Sequence, residues 1–214
     1  MRNEIKNMKN LIYLLAFVSF VYSQQGLQLN DLEPGDSGKL MYPYSGKTFD
    51  LWPNGDLKVR GRLRDGLMNG KWEYYHTNGS KMAVGKYFDG DGSDIDPETK
   101  IPRKGFVGNW TFYYKSGQQW QEGRWKDGVP TGEHVKWYPN GNTKTILTYK
   151  NGGLEGPITK WFEDGQVKEE SFYVSGKLDS SYSSWYSNGS KKEEGDYTSA
   201  YRLVTGPSGM RMEN

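Results

Sequence analysis

The chain has no cysteine in its 214 residues, which excludes disulfides, thiolate catalysis, a Cys-ligated zinc and the lipidated cysteine of a bacterial lipoprotein. Histidine occurs only at His76 and His134, and there is no HExxH pattern and no phosphate-binding loop, so the commonest metal, nucleophile and nucleotide chemistries lack their residues. Leu, Ile and Val are sparse and the mean hydropathy is -0.88. The apolar surface must come from rings, which make up 15% of the chain, and together with 28 glycines they point away from a helical bundle.

One long hydrophobic run stands out, Leu11 to Tyr22, twelve residues preceded by Arg2, Lys6 and Lys9 and followed by Ser23. It is too short for a bilayer, which takes about 20 apolar residues, and it reads as an export signal over 1–23 with the mature start near Gln24. Cleavage would remove three of 28 basic and one of 26 acidic residues, leaving 25 of each. A chain so close to neutral has no global field for nucleic acid or an anionic bilayer, and stable membrane insertion after cleavage is not expected. The address implied is periplasmic, outer-membrane-associated or secreted.

What the chain does have is a period. Turn glycines fall at Gly55, Gly79, Gly117, Gly141, Gly165 and Gly189, in steps of 24, 38, 24, 24 and 24. Because 38 is 24 plus 14, one unit carries an insertion at 91–104 and the rest keep the period, the mark of a repeat array. Each unit predicts a strand, a three-residue turn such as Pro139-Asn140-Gly141, a second strand, and a second turn such as Asp127-Gly128 or Asn151-Gly152. The expected fold is all-β, an elongated single-layer array of antiparallel hairpins. Its expected divisions are a flexible lead-in at 24–44, the array at 45–197 and a mobile tail at 198–214, where Ala200 stands in place of a turn glycine.

Two ring columns precede the first turn of each unit. Leu51, Tyr75, Tyr113, Trp137, Trp161 and Trp185 lie four before the glycine, and Trp52, His76, Tyr114, Tyr138, Phe162 and Tyr186 lie three before it. Adjacent strand residues face opposite ways, so the ribbon bears rings on both sides. The column with Trp137, Trp161 and Trp185 is expected to pack as core. In the other, Trp52, Tyr114, Tyr138, Phe162 and Tyr186 form the candidate binding surface, for a protein or a glycan. Gly61, Gly85, Gly123 and Gly195 fall in the second strands, where a missing Cβ would let a neighbouring ring lie on the backbone. His76 and His134 occupy ring columns and are read as structural.

At the start of the insertion, Asp89, Asp91, Asp94 and Asp96 place carboxylates at near-alternate positions, the ligand type that calcium prefers. An EF-hand loop counted from Asp89 needs glycine where Asp94 stands, so a solvated loop is the preferred reading.

The spacing of Gly123, Trp125, Gly128 and Gly132, followed by Trp137-Tyr138 and Pro139-Asn140-Gly141, resembles the MORN repeat, more closely its bacterial variant with WYxNG at the hairpin. The same register recurs at Gly85, Tyr87 and Gly90 and at Gly61, Leu63, Gly66 and Gly70. The resemblance covers about Ser45 to Tyr197. It implies a row of hairpins without a catalytic centre or cofactor, used for protein or membrane contact. Many chains of this variant carry a toxin-antitoxin label, which would suit an exported chain as protection against a toxin outside the cytoplasm. The expected role is therefore a non-enzymatic protein-interaction scaffold, with an antitoxin or immunity component and a glycan or cell-wall binding module as alternatives.

Overall fold

A computed structural model describes residues 27–28, 44–206 and 209–213. The signal at 1–23 and nearly all of the lead-in lie outside the described residues. Among the described residues sixteen strands form a single sheet. A two-residue strand, β1 (Leu27–Gln28), pairs in parallel with β2, at Thr48 and Phe49. Every other pairing is antiparallel, in the order β2 (Gly46–Leu51), β3 (Leu57–Arg64), β4 (Leu67–Tyr75), β5 (Lys81–Gly90), β6 (Phe106–Tyr113), β7 (Gln119–Lys126), β8 (Val129–Trp137) and β9 (Thr143–Lys150). The short β10 (Gly153–Leu154) pairs only with β9, and the sheet continues through β11 (Gly156–Trp161), β12 (Val167–Val174), β13 (Lys177–Trp185) and β14 (Lys191–Thr198) to β15 (Tyr201–Gly206) and β16 (Gly209–Glu213). The all-β array of hairpins read from the period is the architecture observed.

Both kinds of turn close as their residues dictate. At Pro139-Asn140-Gly141 the Tyr138 N–H donates to the Asn142 carbonyl at 2.8 Å and the Gly141 N–H to the Tyr138 carbonyl at 2.9 Å. This is a three-residue loop whose last member, Gly141, is left-handed at φ 89°. The asparagine before it acts through its side chain. Asn140 Oδ1 accepts from the Asn142 N–H at 2.9 Å, and its amide donates to the Glu163 carbonyl in the next hairpin's turn at 2.9 Å. The second turns are two-residue type I′ turns with both members left-handed, for example Asp127 (49°) and Gly128 (77°).

Two boundaries differ from expectation. The array does not stop at Tyr197, because Ser199 (φ 52°) and Ala200 (φ 74°) adopt the same I′ turn without glycine. Left-handed backbone costs an alanine about 1–2 kcal/mol. Here the Ala200 N–H donates to Leu178 O at 2.6 Å and the Ser199 N–H to Asp179 Oδ1 at 3.1 Å, and β15 follows. The second turn at Asp89-Gly90 is opened by the insertion: Gly90 extends β5, opposite Met68, and Phe88 N–H bonds Gly105 O across the neck.

The insertion is not a solvated loop. Ile101 is only 1% exposed and joins the main core cluster, and the Tyr87 hydroxyl donates to Pro102 O. It lies over one face of the sheet, which we call the packed face. There Trp72, Tyr74, Tyr87, Phe106, Trp110, Phe112 and Trp125 are buried, with Phe106 and Trp110 stacked at 3.6 Å and Tyr87 set edge-on to Trp110 at 5.1 Å. The core is thus concentrated on β3 to β7. Farther along, the buried positions of the same face turn polar, at His134, Thr145, Ser171 and Ser184, with Ile158 the one buried aliphatic among the described residues.

Candidate functional site

The packed column is not the expected one. Seven residues before the first five turn glycines stand Thr48, Trp72, Trp110, His134 and Ile158, all no more than 2% exposed, while Tyr182 in the last unit is half-buried. Trp72 lies on Gly61, Trp110 on Gly85 and His134 on Gly123, where an added Cβ would sit 2.0 to 2.3 Å from ring atoms. The descending-strand glycines thus do seat rings, although Gly195 faces Arg202 instead. His134 Nε2 pairs with Arg124 O at 3.0 Å, and burial lowers its pKa from the usual value. Wedged edge-on between Trp125 and Tyr149, it fills a ring position in the core.

Trp137, Trp161 and Trp185 are half-buried rather than core. They belong to the opposite face, with Leu51, Tyr75 and Tyr113, and nothing among the described residues is layered over it. Corresponding residues of successive hairpins are two strands apart, about 10 Å, so this open face carries a ring row at regular intervals.

The column chosen from sequence as a binding surface lies on the packed face at the turn edge, and its polar tips are in use. Trp52 Nε1 donates to Tyr75 O at 3.1 Å, the Tyr114 hydroxyl to Trp137 O at 2.7 Å, and the Tyr138 hydroxyl to Trp161 O at 2.8 Å, while His76 Nε2 meets Tyr113 O at 3.0 Å. Each ring therefore ties its hairpin to the next. Burial, then the nearby carboxylates, raises the pKa of Tyr114 and Tyr138. Phe162 has no hydroxyl to make this bond and Tyr186 is exposed. Lysines cover the outer flanks: Lys58 over Trp52, Lys144 over Tyr138, Lys168 over Phe162 and Lys192 over Tyr186, at 5.4 to 5.9 Å.

The aspartates of the insertion are not brought together. Asp89 accepts from Arg64 and Asn69, Asp91 caps Ser93, Asp94 pairs with Arg103 at 2.9 Å, and Asp96 accepts from the backbone of Glu98 and Thr99. Arg103 also reaches Asp96 at 3.8 Å, so each carboxylate is already engaged by donors of the protein itself.

An open sheet of 24-residue hairpins, stapled edge to edge and bearing a regular ring row, defines a β-hairpin repeat protein. The family model described as MORN repeat variant matches residues 130–151 and 154–175, so these two adjacent units are repeats of that type. No curated protein matches it.

Proposed function

We propose that the chain is an exported, non-enzymatic scaffold that holds a protein partner against the ring row of its open face. One contrast supports this reading: the tips of Trp52, His76, Tyr114 and Tyr138 are consumed by the neighbouring hairpin, whereas Trp137, Trp161 and Trp185 keep a flank to solvent on a face without a covering layer among the described residues. Successive strands of a sheet turn by roughly 20–25°, so the row follows a spiral. A rigid flat partner would touch only a few stations; an extended segment can follow them all. A partner that is an exported toxin would make this an immunity role.

Equal spacing of three tryptophans among polar neighbours also favours a second reading, a glycan laid along the row. A photo-crosslinking residue at position 161, in cells that export the chain with processing near Gln24, separates the two. A discrete protein adduct that Trp137→Ala with Trp185→Ala removes, and that the same probe at position 168 on the other face does not give, is the expected result. Retention on peptidoglycan or polysaccharide resin that Trp161→Ala abolishes, with no protein adduct, would replace the scaffold by the glycan reading.

A further inference from the structure

At the N-terminal end of the open face, β2, β3 and β4 dish into a groove of about 1210 Å³. Its charge is lopsided. Lys47, Arg60, Arg62 and Lys71 line it with Glu73 as the only carboxylate, and Arg64, which also lines it, is engaged by Asp89 at 2.8 Å. Glu73 already accepts from Arg60 at 2.6 Å, Lys71 at 3.0 Å and Lys81 at 3.3 Å. Burial would raise its pKa, but the hydrogen bonds from Lys71, Arg60 and Lys81 outweigh burial and hold it at about 2. One negative charge therefore serves three positive ones and has nothing left for the rest.

The remaining two stand side by side. Lys47 and Arg62 are directly opposite on β2 and β3, both exposed, with no ion pair among the described residues. Like charges facing each other across a strand pair are unfavourable, in a protein with acidic residues enough to separate them. Between the cations lies an apolar floor, because Phe49 and Leu51 follow Lys47 on the same face and Leu57 is opposite Leu51.

We propose that this groove binds an extended acidic peptide in which carboxylates alternate with apolar side chains. The apolar side chains rest on Phe49, Leu51 and Leu57, while the carboxylates reach the ends of Lys47 and Arg62, whose long stems rise past the floor. Charge complementarity selects the acid and the floor selects the peptide: a nucleic acid or a sulfated glycan would meet the cations but leave the apolar residues uncovered. The site is separate from the tryptophan stations of the row and stands or falls without them.

Fluorescence anisotropy of the full chain with a dye-labelled decapeptide of alternating Glu and Val tests this at about 0.15 M salt. Binding should weaken at least about tenfold in Lys47→Ser with Arg62→Ser, at an unchanged or higher melting temperature, and remain as it is in Trp161→Ala. Should the double variant fail to fold, Arg62→Gln alone carries the comparison. No binding, equal binding by the variant, equal binding of a Lys-Val peptide, or tighter binding of an oligonucleotide or sulfated glycan of the same charge would overturn the proposal. So would a gain of about tenfold or more in Asp31→Ser with Glu33→Ser, which would make the occupant the chain's own acidic segment.

Discussion

Gly85 and Trp110 occupy what is effectively one site, since a Cβ on the glycine would fall 2.0 Å from the indole. Gly85→Ala should therefore cost about 1–3 kcal/mol through overpacking, and Trp110→Ala about 3–5 kcal/mol through the cavity it leaves. The pair should not add. With the indole gone the new methyl has room, so denaturant melts of the double variant should show the alanine at 85 costing less than it does alone. Strict additivity would mean that the ring has another way to move aside. Part of this was legible in the sequence: the glycines pointed to seated rings. Which rings was not, because Trp72, Trp110 and His134 differ in kind while the more uniform Trp137, Trp161 and Trp185 column attracts the eye. The pairing arithmetic held the answer, since Trp110 is opposite Gly123 and Trp72 opposite Gly85. A large residue facing a missing side chain marks the packed face.

At the scale of the hairpin, the unit is closed by its own turns and fastened by its neighbour's backbone. Tyr138→Phe removes one bond to Trp161 O and should cost about 0.5–1.5 kcal/mol. Phe162 holds the same place one unit later, so Phe162→Tyr should restore the missing fastening toward Trp185 O and raise stability by up to about 1 kcal/mol. Urea melts of the two variants check both signs, and a destabilised Phe162→Tyr would show that the tie does not extend to that unit. Hairpin boundaries were readable because glycine, and the Asp-Gly and Asn-Gly pairs, mark left-handed backbone. The last turn escapes that rule because Ser199 and Ala200 reach the same backbone without the expected residue, held by Leu178 and Asp179. The insertion is deceptive for a related reason: its polar composition suggests solvent, and the adjacent Ile101 and Pro102 anchor it on the rings, one by burial and the other by accepting from the Tyr87 hydroxyl.

Across the whole molecule the period dictates the architecture, and unequal burial lends it a direction that no repeat count conveys. Large buried rings end with Trp125, and beyond it the same face holds His134, Thr145, Ser171 and Ser184. Strands lie across the ribbon and their hydrogen bonds along it, so a load applied between β2 and β14 acts on one ladder at a time, as on a zipper. The molecule should yield in a staircase, each step freeing a 24-residue unit and lengthening the chain by roughly 80 Å at about 3.4 Å per residue. Single-molecule pulling should find the β11 to β14 steps at the lowest force and the β3 to β7 segment, clamped by the insertion, at the highest; a single all-or-none rupture would contradict this. A chain built this way would act as a graded tether, paying out length from one end while the other keeps its shape.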